Sequence, residues 1–130
     1  MANNKGYLVN KDSEKLFPDQ YDSGWIYPTL ENGWSNRTTN ASPARYRKIG
    51  NVVYIAGSIT GGTFNSTIFT LPAGFRPGGS YQSTLVRATA GYARLHFNYE
   101  ANGNGRVVLE NVDGTNGEVL LFNISFIAEY

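Results

Sequence analysis

The sequence predicts an all-β fold, an antiparallel β-sandwich or closed barrel made of eight to ten short strands. Three observations carry this expectation. Turn signals rich in Gly, Asn and Pro recur about every ten residues, the spacing of such folds. The runs between them alternate apolar and polar residues with period two, and no segment shows a helical period. The composition agrees: nine Tyr and fifteen Gly stand against only 16% charged residues, which suits strands joined by turns better than long solvated helices.

Residues 1–23 are the most polar and least regular part. Lys11-Asp12-Ser13-Glu14-Lys15 reads as a turn between two short runs, Tyr7-Leu8-Val9 and Leu16-Phe17. Pro18 favours an extended conformation at Phe17. This part is read as an extended N-terminal arm, and residues 24–130 as the head domain. Residues 24–30 (GWIYPTL) form an aromatic strand that Pro28 confines to an edge. Glu31-Asn32-Gly33 turns the chain into Trp34. Residues 35–44, rich in Asn, Thr and Ser with Pro43, form a loop.

Residues 45–77 hold the clearest pattern. Residues 45–49 are a strand, Gly50-Asn51 a two-residue turn, and residues 52–60 a second strand. Val53, Ile55 and Ile59 face one way there, and Tyr54, Ser58 and Thr60 the other. Gly61-Gly62 turns the chain, residues 67–71 are a third strand, and Pro72-Ala73-Gly74 turns again. After the loop at residues 76–80 come strands at 81–88 and 92–100. In the latter, Ala93, Leu95, Phe97 and Tyr99 alternate with Arg94, His96, Asn98 and Glu100. Residues 101–105 (ANGNG) give the strongest hairpin signal. Residues 106–111 return with Val107 and Leu109 inward, and 113–117 (DGTNG) turn once more. Residues 118–130 read as one long apolar strand, which belongs in the middle of a sheet because such an edge invites aggregation. Hairpins of this kind suit either an up-and-down or a Greek-key order.

The run Trp25, Leu30-Glu31-Asn32-Gly33-Trp34, residues 46–60 and residues 68–77 (IFTLPAGFRP) resembles the distal β-domain of tail-fibre and baseplate receptor-binding proteins of bacteriophages. The likeness covers about half the chain, and TLPAGFRP is its most specific part. It implies a jelly-roll-like β-sandwich assembled as a homotrimer. It also implies a location at the tail tip or baseplate of a virion, with other tail proteins as partners, and an arm that packs against a neighbouring subunit. A structural fibre or baseplate module without a ligand of its own fits the same resemblance.

Composition excludes several function classes. There is no cysteine, hence no disulfide framework, thiol nucleophile or cysteine metal site. No apolar run approaches the roughly twenty residues of a membrane span. No basic-then-apolar start suggests a secretory signal, and none is expected of a protein released by lysis. The net charge of +1 hides a segregation: residues 36–98 carry no Asp or Glu but hold Arg37, Arg45, Arg47, Lys48, Arg76, Arg87 and Arg94. Either this is a basic surface for an anionic polymer such as a phosphate-bearing glycan, or basic middle strands pair with acidic flanking ones.

Catalysis finds little footing. Glycoside cleavage needs two facing carboxylates, and Glu100, Glu110 and Glu118 read as solubilising residues beside turns. Asn111, Asp113, Asn116 and Glu118 lack the spacing of a calcium loop. No cofactor and no nucleic-acid partner is expected. Binding is better supported, because aromatic rings stack on sugar C–H faces while Asn, Arg and Tyr groups bond sugar hydroxyls. The candidates are Trp34, Tyr81, Tyr92, Arg94, His96 and Asn98. Trp34 reads more readily as core or interface, and His96, the single histidine, as a solvated strand residue. The expectation is non-enzymatic recognition of a bacterial cell-surface saccharide, centred on the polar face of residues 92–98.

Overall fold

The computed structural model describes residues 21–38, 42–79, 81–121 and 124–128. Among these residues every regular element is a strand. The strands are β1 (Ser35–Asn36), β2 (Arg45–Ile49), β3 (Val52–Ala56), β4 (Ser58–Thr60), β5 (Ser66–Thr70), β6 (Gln82–Thr89), β7 (Gly91–Phe97), β8 (Arg106–Asn111), β9 (Thr115–Leu120) and β10 (Ile124–Ile127). The expected arm lies, up to residue 20, outside the described residues.

All pairings are antiparallel. A seven-stranded sheet runs β1-β4-β9-β6-β7-β8-β5 and curls into a half-barrel, and a three-stranded sheet runs β10-β3-β2. The expected all-β sandwich is therefore the fold found. Strands β6, β7 and β8 follow one another, and β9 returns to lie beside β6. That order, β9-β6-β7-β8, is a Greek key. The return is only three residues long, because Val112, Asp113 and Gly114 ride over the β6–β7 turn and donate their amides to the Tyr92 carbonyl. A Cβ on Gly91 would lie 2.5 Å from the Asp113 carbonyl oxygen, so this crossing needs a bare backbone there.

Period two sets the core. Leu95 pairs with Leu109 and Ala93 lies one step along, while Val86 and Ala88 continue the same inner face on β6. Facing them from the small sheet are Tyr46, Val53, Ile55 and Ile124. Tyr46 links the layers: its ring stacks on Phe69 at 6.1 Å and meets Phe75 edge-on at 5.4 Å. Each such large side chain contributes about 1.5–3 kcal/mol by leaving water.

Several expected elements differ. Residues 52–60 are not one strand: Gly57, at φ +121°, breaks them into β3 in the small sheet and β4 in the large one. A Cβ there would lie 2.4 Å from the Pro43 carbonyl oxygen. This switch buries Ser58, which alternation had placed on the water face, beside Glu118 (3.2 Å). Residues 118–130 likewise divide into β9 and β10 in different sheets, and β10 is an edge strand rather than a central one. The turn expected at 113–117 ends early, since β9 begins at Thr115. Residues 24–30 form no strand; the chain here meets β2 at two isolated bridges, Asp22–Ile49 and Ile26–Tyr46. Gly61-Gly62 closes no hairpin, because β4 and β5 do not pair. The ANGNG signal belongs to a longer connection, with β7 ending at Phe97 and β8 starting at Arg106.

Candidate functional site

Strand β7 is the middle of the Greek key and presents Tyr92, Arg94 and His96 on the outer face of the large sheet. Tyr92 and Arg94 are exposed. His96 is 4% exposed, so it is not the solvated residue that the alternation suggested. Its ring is covered because three partners close over it. Tyr81, just before β6, lies with its ring at 5.1 Å, and Tyr99, just after β7, at 5.3 Å. The two tyrosine rings are 5.7 Å apart. Beneath them Val108 pairs with His96 and is fully buried, although Val107 and Leu109 on either side face the main core. The outer face thus has a small core of its own.

Tyr99 reaches this face because the strand stops before it. Asn98 and Glu100 both adopt positive φ, +54° and +62°, so the inward alternation that governs Ala93, Leu95 and Phe97 does not extend to Tyr99. Arg106 then lies over the Tyr99 ring at 5.5 Å and donates its Nε to Thr67 Oγ1 at 2.9 Å.

Glu110 supplies the charge. It sits opposite Arg94 in the β7–β8 register, and its Oε1 accepts from Arg94 Nη1 at 2.9 Å and from His96 Nε2 at 3.1 Å. Those two bonds, His96 first and Arg94 second, hold its carboxyl below the usual glutamate range. A carboxylate only accepts, so Nε2 carries a hydrogen; in the neutral ring Nδ1 then accepts from the Tyr81 hydroxyl at 2.8 Å. One neutral tautomer satisfies both contacts. Loss of water raises the Tyr81 hydroxyl pKa, aided by Tyr99, Glu110 and Glu100, so the phenol keeps its donating hydrogen at neutral pH.

The six expected residues therefore part company. Tyr81, Arg94 and His96 form one cluster, with Tyr92 two residues along the same strand face. Trp34 is elsewhere: it is 3% exposed, packs edge-on against Phe64 at 5.8 Å and bonds the Thr63 carbonyl, leaving no open ring face. Asn98 is fully buried and ties loops together. It donates to the carbonyls of Pro77 and Gly79 and accepts from the Gly105 amide. Both are buried away from the cluster. Tyr99, Arg106 and Glu110 were missed. Alternation put Tyr99 inward, and only the strand register, invisible in the sequence, sets Glu110 beside Arg94.

The arrangement offers two ring edges, a partly exposed guanidinium and a carboxylate on one open surface. Among the described residues no group of three or more His, Asp or Glu stands close enough to hold a metal ion. No family model matches the chain, and neither curated proteins nor solved structures provide a match.

Proposed function

We propose that this chain is the receptor-binding head of a bacteriophage tail or baseplate, holding a bacterial cell-surface saccharide without cleaving it. The observation that carries the binding half is the Tyr81–His96–Tyr99 cluster on the outer face of the large sheet, edged by Arg94 and Glu110. Rings of this kind cover the apolar C–H faces of a sugar, while the guanidinium, carboxylate and phenol bond its hydroxyls. The phage role rests on the sequence resemblance through TLPAGFRP. Holding rather than cleaving is favoured because Glu110, the carboxylate that contacts the cluster, already accepts from two donors; glycoside cleavage calls for a second, facing carboxylate. A homotrimer would multiply a weak single site through avidity.

The test is binding of fluorescently labelled protein to intact bacteria, competed with purified wall glycans. Tyr81→Ala and Tyr99→Ala are expected to weaken binding at least about tenfold, or about 1.4 kcal/mol each. Unchanged binding in both variants removes this face, and no binding to any strain leaves a purely structural fibre module as the better reading.

A further inference from the structure

A second aromatic group lies on the opposite side of the sandwich, on the outer face of the small sheet. Tyr46 and Lys48 of β2 face inward, so Arg45 and Arg47 face out. Trp25, held beside β2 by the Ile26–Tyr46 bridge, places its indole under both guanidiniums, at 4.7 Å from Arg45 and 5.7 Å from Arg47. The two arginines differ in one respect. Arg47 is gripped by Asp22 through two bonds, of 2.9 and 2.7 Å, which neutralise it. Arg45 donates only to the Pro43 carbonyl at 3.0 Å and meets no carboxylate among the described residues. Among the described residues its charge is met by the indole alone, which holds it in place.

Next to this charge is a depression of about 370 Å3 lined by Trp25, Tyr54, Ile55, Ala56, Ile124 and Ser125. Arg45 does not line it but pairs across the strands with Ala56 and lies over Trp25, both of which do. Tyr54 is 40% exposed and pairs with Ser125 of β10, itself an exposed residue. The volume falls at the lower end of small-ligand sites, about 300–1,000 Å3.

We propose that this depression binds an anionic saccharide unit, its ring seated against Tyr54 and Trp25 and its carboxylate or phosphate on Arg45. A neutral sugar would find the rings but leave Arg45 unmatched. A flat aromatic ligand would not use the Ser125 hydroxyl. The site stands on its own residues and does not depend on the Tyr81–Tyr99 face.

Tryptophan emission tests it directly on the intact chain. Trp34 is buried and Trp25 is exposed, so a ligand-induced change reports Trp25. The probes are a glucuronate oligosaccharide, glucose 1-phosphate and uncharged methyl glucoside. A saturable change is expected with at least one charged probe, and which of the two identifies the anion. Methyl glucoside is expected to bind at least about tenfold more weakly, and Arg45→Gln to erase that difference. Tyr54→Ala should weaken all binding, a second readout should Arg45→Gln fail to fold. Tyr81→Ala should leave the titration unchanged, which separates this site from the other face. The proposal is overturned by no saturable response to either charged probe, by equal binding of the neutral sugar, or by emission that tracks protein concentration alone. The last outcome would show a second copy covering the face.

Discussion

The Tyr81 hydroxyl lies 2.8 Å from Nδ1 of His96, and on the other side of the same ring Nε2 meets Glu110 at 3.1 Å. Three side chains from three separate segments thus fix one another's orientation. Tyr81→Phe keeps the ring and removes the bond, so it should cost about 1 kcal/mol, measured by denaturant unfolding. His96 is the single histidine, so its ring nitrogens are assigned without ambiguity by nitrogen-15 NMR. The hydrogen is expected on Nε2 in the native protein. A ring carrying it on Nδ1 would contradict the bond to Glu110.

Acid should destabilise the protein through its paired carboxylates. Asp22 is held at about 2, below its ordinary 3.8, first by the Arg47 bonds and next by the Gly24 amide. Glu110 is also depressed, below 4.5, by His96 and then Arg94. A depressed carboxylate stabilises the fold at pH values above its unfolded pKa, and that stability is lost as pH falls through the folded value. The melting temperature should therefore decline from about pH 5 downward. Asp22→Asn should flatten the decline between 3.8 and about 2. Both carboxylates are at the surface, so the effect should shrink with added salt. A melting temperature that rises on acidification would contradict the sign.

Sheet register makes a sharper expectation. Leu85 and Leu95 belong to paired strands, yet Leu85 points out and is 57% exposed while Leu95 is fully buried against Leu109. Leu95→Ala should cost about 2–5 kcal/mol, and Leu85→Ala no more than about 0.5. Equal effects in a urea titration would mean that the inner face is assigned wrongly.

What the sequence revealed follows from how far each cause reaches. The alternation of Ala93, Leu95 and Phe97 is local, and it was readable. So was the two-residue turn at Gly50-Asn51, where Gly50 adopts φ +59° and Ile49 pairs with Val52. Ser58 was misplaced because its burial depends on Glu118, sixty residues away. Glu110 looked like a turn residue because its partnership with Arg94 is set by strand register, which the loop between β7 and β8 fixes. Trp34 was ambiguous because an aromatic ring serves core and ligand equally well until its neighbours are known. Greek-key order, too, depends on Asp113 crossing over Gly91, a contact that periodicity does not encode.

Gly57 offers the most severe test of the architecture, because it is where the chain leaves one sheet for the other. Its φ of +121° is rarely adopted by an L-residue, and a Cβ would be forced to 2.4–2.6 Å from the Pro43–Ala44 backbone. That neighbour cannot yield easily. The Ala44 amide is bonded to Asn36 Oδ1 at 2.8 Å, and Ser58 donates its amide to the Ser42 carbonyl at 2.9 Å. Gly24 supplies the control: it also has positive φ, +68°, but nothing lies within 4 Å of its Cβ position. Gly24→Ala should then cost only the left-handed backbone penalty, about 1–2 kcal/mol. Gly57→Ala should exceed it by at least about 2 kcal/mol, or prevent folding altogether, because backbone strain and overpacking act together. Guanidinium unfolding of the two variants side by side decides the matter. Equal losses would mean that the β3–β4 switch tolerates a side chain and that the sheets are not joined as closely as Gly57 requires.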